Sequence, residues 1–269
     1  MKFTRELLSH ATDRANGIDA VSGSILPFAG VSGNYGLRFA AGPEDTISAQ
    51  RLRYEVFNLE LNEGLSESHL TGLDTDPFDA VCKHLIVEHC ATRQVVGTYR
   101  MQTGTSAAKH LGYYCSQEFE FDVFESIRDE IIELGRACVH KDHRNYAVLG
   151  MLWKGIADFA YRNRARYLIG CSSLTSQDPA IGAAAYAHLY RRFLSPQSWR
   201  TVPKRGFECP LHSLAAETPN IPKLLRAYLN LGATICGPPA LDSGFKTIDF
   251  LTLLDLQSLP NVVRARFFG

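Results

Sequence analysis

The amino-acid sequence predicts an α/β or α+β fold, and three observations carry that expectation. Hydrophobic residues make up 45% and charged residues 21% of the 269, which suits a chain with a buried core and excludes a disordered, collagen-like or coiled-coil protein. Strand-like and helix-like runs alternate from residue 37 onward. Between residues 131 and 171 an apolar run, an amphipathic run and a second apolar run make a strand, helix, strand unit of the kind that builds α/β sheets.

Residues 1–35 read as an N-terminal leader, with a short amphipathic start and a Gly/Ser-rich stretch over 22–36, and residues 36–269 as the folded domain. A strand is expected at 37–40. Pro43, Glu44 and Asp45 then suit the first turn of a helix, because proline needs no N–H there and acids complement the helix dipole. Ala49, Leu52, Val56 and Leu59 recur at helical spacing, so the helix runs to about residue 62. The acidic loop LDTDPFD follows, and then two β-rich runs, 84–88 and 95–101, joined by the polar turn ATRQ as a hairpin. Residues 111–128 show no usable period. The strand at 131–139 leads through the polar loop HKDHRNY into a helix at 147–163, whose apolar side carries Leu149, Leu152, Trp153, Ile156, Phe159 and Ala160, and a strand at 167–171. Helices near 181–193 and 221–231 and strands at 233–236 and 247–254 complete the pattern.

Several function classes drop out. Lys plus Arg and Asp plus Glu both number 28, so no net positive field draws nucleic acid. Seven cysteines with no C-x-x-C pair argue against a disulfide framework or a zinc ribbon. The N-terminus scatters charge where a signal peptide needs an apolar run, and no stretch of roughly 20 apolar residues exists to span a membrane. A reducing, cytoplasmic setting is expected. Walker and G-x-G-x-x-G loops are missing, GVSGNYG has the wrong glycine spacing, and GCSSL lacks the final glycine of a nucleophile elbow. Cys138, His140 and His143 could be written as C-x-H-x-x-H, but they read as a strand end and a polar loop, and no metal site is expected.

Four groups of polar residues stand out. Arg53 and Phe57 are four apart on the first helix and share a face. Asp76 and Asp79 lie in the acidic loop, Arg100 near the end of a strand, and Glu133 and Arg136 inside the apolar run IIELGRACV. Strand alternation puts Glu133 and Arg136 on opposite faces unless Gly135 marks a bulge. Taken singly, each is a solvated acid or a structural ion pair.

In order, RLRYEVF (51–57), DPFD (76–79), GTYR (97–100) and ELGR (133–136) resemble the R-x-x-x-F, D-x-x-D, G-x-x-R and E-x-x-R signatures of the acyl-homoserine-lactone synthase branch of the GNAT acyltransferases. The tryptophan that branch carries after the phenylalanine is missing. With HLIVE, the tryptophan helix MLWKGI and the tail CGPPALDSGFKTIDFLTLLDL added, the chain is more similar over about 37–269 to the ornithine N-acyltransferases of ornithine-lipid synthesis, often labelled hemolysin-like.

The resemblance implies a GNAT-like mixed central sheet flanked by helices. It also implies transfer of a long, 3-hydroxylated or plain acyl chain from acyl carrier protein to the α-amine of an amino acid, ornithine first, giving a lyso-lipid. The donor is then a carrier-bound phosphopantetheine thioester, or acyl-CoA, with no resident cofactor. It assigns catalytic parts to Glu133, Arg136, Asp76, Asp79 and Arg100, and substrate binding to Arg53 and Phe57. The pyrophosphate loop falls on Arg144, Asn145, Tyr146, Ala147 and Val148, here without its glycines, which favours a carrier protein over acetyl-CoA. Peripheral contact with the inner membrane is left open.

The chemistry needs a neutral amine and donors for the thioester oxyanion. Glu133 is the candidate base, Arg136 and Arg100 the candidate carboxylate clamp or organisers of the acidic loop, and backbone amides of 137–139 the candidate oxyanion donors. Cys138 reads as core rather than an acyl-accepting thiol. Tyr113, Tyr114, Phe119, Phe121 and Phe124 are expected to line an acyl groove or to be plain core. Arg162, Arg164 and Arg166, or Arg191, Arg192, Lys204 and Arg205, would meet an acidic carrier protein. The alternatives are an acetyl-CoA-dependent N-acetyltransferase and a non-catalytic membrane-active protein.

Overall fold

The computed structural model describes residues 29–212 and 220–267. Nine strands form one sheet among them: β1 (Ala29–Ser32), β2 (Tyr35–Phe39), β3 (Lys83–His89), β4 (Val95–Thr103), β5 (Ile131–Val139), β6 (Tyr167–Leu174), β7 (Thr234–Ile235), β8 (Ala240–Asp242) and β9 (Thr247–Asp255). The order is β1-β2-β3-β4-β5-β6-β9-β7, with β8 also paired to β9. Every pairing is antiparallel except β5 with β6. Because β1 pairs with β2, the sheet begins inside the stretch expected to be a leader. Residues 1–28 of that stretch lie outside the described residues.

The helices are α1 (Pro43–Tyr54), α2 (Gly104–Lys109), α3 (Tyr146–Arg162), α4 (Pro179–Phe193), α5 (Lys223–Asn230) and α6 (Asn261–Phe267). Past its last regular turn α1 continues as a π-helical segment, Glu55–Glu60, which carries it close to the expected end. The stretch 111–128 fails to show a period because it is built of short 3₁₀ turns, Cys115–Gln117 and Asp122–Glu130.

Strand alternation sorts the two faces. Leu85, Val87, Tyr99, Met101, Ile132, Leu134 and Leu168 pack against Val148, Leu152 and Ile156 of α3. On the opposite face, Ile86, Val95 and Cys138 meet Ala49, Leu52 and Val56 of α1. Further along that face Ile131, Ile169 and Leu251 meet Phe119 and Phe124. Cys138 is thus core as expected, and burial pushes its thiol up, away from a reactive thiolate.

Candidate active site

The single parallel pair places the site. β5 and β6 register only over Ile131, Ile132 and Glu133 against Tyr167, Leu168 and Ile169, and then diverge. At the parting point a Cβ on Gly170 would lie 2.4 Å from the Leu134 carbonyl oxygen, so only glycine allows the two backbones this approach. Beyond it Leu134, Gly135, Arg136 and Ala137 have no registered partner on β6, and they line a cleft through the sheet. On the α3 face its walls are apolar: Tyr99, Trp153, Tyr228, Ala233 and Leu254. Tyr99 and Tyr228 meet there hydroxyl to hydroxyl. On the other face the cleft reaches Arg136 and Cys171.

Arg136 gets there through a bulge. The register passes from Thr98↔Cys138 to Arg100↔Gly135, so β5 carries one more residue than β4, and Arg136 takes a left-handed φ of 50°. The bulge therefore centres on Arg136 rather than Gly135. It turns Glu133, Arg136 and Cys138 all toward the α1 face, and both Glu133 and Arg136 bond to Tyr114.

Five of the sequence-expected residues form one network. Arg53 is wholly buried and gives Nε to Asp74 Oδ2 at 2.8 Å and both terminal nitrogens to Asp79 at 2.9 and 2.7 Å. Arg100 donates to Asp76 Oδ1 at 2.5 Å and Asp79 Oδ1 at 2.9 Å. Arg136 reaches Asp76 Oδ2 at 3.1 Å and lies 3.2 Å from Asp74 Oδ2. Asp76 and Asp79 also close a capping box on the 3₁₀ turn Pro77–Ala80, the local reason the DPFD spacing recurs in one loop. Burial pushes the Asp79 carboxyl up, but the Arg53 hydrogen bond and the charges of Arg53 and Arg100 outweigh it and hold it well below the usual range. Three guanidinium groups thus meet three carboxylates. Asp74, a partner to two of the arginines, was not singled out in the sequence.

Some expected roles change. Arg53 cannot meet a substrate, since its side chain is sealed behind the acidic loop. Phe57 stacks edge-on against Phe245 at 5.4 Å, and Arg136 lies over Phe245 at 4.3 Å, so it backs the site rather than lining the cleft. Arg100 and Arg136 organise the acidic loop. Glu133 is buried and does not line the cleft; its oxygens accept from Gln102 Nε2 at 2.6 Å and from the amides of Tyr114 at 2.9 Å and Cys115 at 2.8 Å. It fixes the turn that carries Tyr114. Tyr113, Phe119, Phe121 and Phe124 are packed core, and Tyr114 lies between Arg100 and Arg136.

At the expected pyrophosphate loop, Asn145 caps α3 by accepting the Val148 amide at 3.1 Å, and Arg144 is clamped by Glu60 with two contacts of 2.6 Å. Ala147 and Tyr146 complete the first turn. Arg162 pairs with Asp158 and Arg166 with Asp255 at the opposite end of α3. The C-x-H-x-x-H residues do not converge: Cys138 is buried against α1, while His140 packs against His143, whose ring also meets His89 and the edge of Tyr35.

Comparison with known proteins agrees with this architecture. A family model described as an acetyltransferase (GNAT) domain matches residues 52–154. An L-ornithine Nα-acyltransferase of Rhodobacter capsulatus is 30% identical over 237 residues, covering 84% of this chain and 92% of that one. One of Agrobacterium fabrum is 30% identical over 237 residues, with 82% and 81% covered. In fold, the acyl-homoserine-lactone synthase LasI superposes with a TM-score of 0.50 at 13% identity, covering 87% of this chain and 95% of that one. FeeM, an N-acyl amino acid synthase from uncultured soil microbes, gives 0.50 at 11% identity, covering 90% and 100%. Identity at this level across most of the chain makes it a member of the L-ornithine Nα-acyltransferase family, an N-acyltransferase built on the GNAT fold.

Proposed function

We propose that the protein transfers a long acyl chain from an acyl carrier protein to the α-amine of ornithine, releasing N-acylornithine, a lyso-lipid. The observation that carries this reading is the cleft between β5 and β6, apolar on the α3 face and charged on the other. The acyl chain lies along Trp153, Tyr228 and Leu254, and the pantetheine arm pairs with the free edge of β5. The amine comes in from the charged face and attacks the thioester carbonyl. Backbone N–H groups beyond the bulge receive the oxyanion. The C–S bond then breaks, the amide forms, and the departing thiolate takes up the proton the amine loses.

A carrier protein suits the entrance better than a free nucleotide. A coenzyme's pyrophosphate at the start of α3 would meet Glu60, which already holds Arg144, and the loop lacks the glycines that let a backbone close on phosphate. The carrier docks at this end of α3. Asp76, Asp79 and Arg100 keep the acidic loop and Arg136 in place, while Glu133 acts as a positioning residue through Tyr114.

The test is turnover with ornithine and either a long-chain acyl carrier protein or acetyl-CoA, with thiol release and product mass followed together. Faster transfer from the carrier-bound long chain is expected; faster acetyl transfer from acetyl-CoA would overturn the donor assignment. Among the described residues no helix is long and apolar enough to cross a membrane.

A further inference from the structure

The charged face holds a second cluster that the arginine network leaves aside. Glu118, at the end of the 3₁₀ turn Cys115–Gln117, Asp242 of β8 and Asp249 of β9 each bring one carboxylate oxygen within 4.8 Å of the others. Among the described residues no Lys, Arg or His forms an ion pair with any of the three. Asp249 is 4% exposed, and its Oδ1 is buried with no hydrogen-bond partner. Its Oδ2 accepts from the Thr247 hydroxyl at 3.2 Å, and Asp242 Oδ1 from the Phe245 amide at 2.8 Å. Glu118 Oε2 has the Cys171 thiol at 3.9 Å. Burial and the Asp242 charge push Asp249 up to about 6 against hydrogen bonds with Ser173, Glu118 and Thr247, and burial with the neighbouring Asp249 and Asp242 pushes Glu118 well above the usual range. A buried acceptor left bare among carboxylates calls for a cationic donor.

The cluster flanks the cleft. Cys171, whose sulfur lies 3.5 Å from Cys115 Sγ and 3.9 Å from Glu118 Oε2, is one of the cleft walls, and so is Arg136, whose charge acts on Glu118. We infer that Glu118, Asp242 and Asp249 form the pocket for the side-chain ammonium of a diamino-acid acceptor. This assignment rests on the N-acyltransferase reading of the cleft and supplies its acceptor specificity. An ammonium donates three tetrahedral hydrogen bonds of about 2.8 Å, which sets its acceptors roughly 4.6 Å apart. The three oxygens, all within 4.8 Å of one another, lie inside the reach of that triangle; a hexacoordinate Mg²⁺ would draw its oxygens to ~2.1 Å from the metal, an alternative that chelation tests. In ornithine three methylenes separate the side-chain amine from the α-carbon, so one amine can sit in the pocket while the other meets the thioester.

Ornithine and norvaline, the same skeleton without the terminal amine, test this with one acyl donor. Wild type is expected to favour ornithine in kcat/KM by ~10² or more, because a norvaline complex leaves the pocket's acceptors bare. D249N and E118Q should each shrink that ratio by roughly 10-fold or more. Equal use of the two acceptors by wild type, or an unchanged ratio in folded variants, overturns the pocket. Should D249N fail to fold, D242N at the cluster's edge carries the same expectation. Loss of turnover with both acceptors on chelation, restored by Mg²⁺ or Ca²⁺, would make the cluster a metal site and overturn it as well. Failure of the N-acyltransferase reading looks different: wild type then acylates neither acceptor from any thioester. Calorimetric binding decides in that case, since a preference for ornithine lost in D249N keeps the pocket and no preference removes it.

Discussion

Two buried charge clusters stand on the same face of the sheet, and they are built in opposite ways. Around Arg53, Arg100 and Arg136 each carboxylate finds a guanidinium, and the acidic loop is locked to α1, β4 and β5. Around Asp249 the carboxylates face each other, with Glu63 adding a further acid that burial pushes up to about 6. The first cluster is finished by folding. The second stays short of positive charge, which is how a binding pocket differs from a structural ion-pair network: folding carries its desolvation penalty and leaves the compensating charge to a ligand.

The largest expected effect lies in the finished cluster. Removing Arg53 by R53A takes the buried partner that Asp74 and Asp79 share and leaves them only Arg136 and Arg100, and loss of one partner of such a network costs about 3–5 kcal/mol. Urea unfolding should show it; a loss under 1 kcal/mol would mean that water replaces the guanidinium and that the two clusters are alike after all.

The clusters should also respond to pH with opposite sign. Asp79 is held low in the fold, so its stabilisation is present above the unfolded value near 4 and is lost as pH falls below it. Asp249 is raised from 3.8 to about 6, so the fold holds its proton more tightly than the unfolded chain does. That contribution is complete below about pH 4 and disappears as pH rises through 6. The difference amounts to up to about 3 kcal/mol. D249N should therefore be more stable than wild type at pH 7 and should flatten the slope between pH 4 and 6, while D79N should be less stable at pH 7. Stability curves across that range that coincide for D249N and wild type would sink the uncompensated reading.

Glu133 sharpens the contrast within the site itself. Its carboxylate takes three donors from Gln102, Tyr114 and Cys115, and an amide in E133Q turns an acceptor into a donor against at least one of them. We expect kcat to fall about 10- to 100-fold with the shape of the pH–rate profile kept, because Tyr114 and Arg136 shift while no proton acceptor is removed. Loss of the acidic limb of that profile would return Glu133 to the role of base.

These cases also show what a sequence can carry. The helix around Trp153 and the strands on either side of it were legible because a 3.6-residue period and two apolar runs stand next to each other in the chain. The arginine network was legible in part, since its members sit in short motifs. Their meeting depends on a bulge that puts Arg136 at positive φ, and Asp74 gave no separate signal. The acidic pocket was not legible at all: Glu118 lies in aperiodic 3₁₀ turns, and Asp242 and Asp249 arrive more than a hundred residues later on strands at the far side of the sheet. No local spacing records a contact made only by the sheet order.

The smallest expected effect concerns the surface of α3, and it separates its two ends. Arg162 ends the helix, whose 17 residues span about 25 Å, and Arg164 and Arg166 follow it. The end of β5, where we propose that the thioester enters, lies at the other end, with Arg144 Nε 3.1 Å from the Val139 carbonyl oxygen. Arg162 is already paired with Asp158, and Arg166 with Asp255, so reversing the three to glutamate removes exposed pairs that contribute little. At moderate salt the Debye length is about 8–10 Å, and charges 25 Å from the docking surface barely steer the carrier. The triple reversal should leave the KM for a carrier-bound donor within about 2-fold of wild type. R144E, at the near end, should raise it, because it removes the contact to Glu60 and adds negative charge where an acidic carrier arrives. A large KM increase from the triple reversal, with none from R144E, would place the docking surface at the C-terminal end of α3 and require the pantetheine arm to reach the cleft from that side.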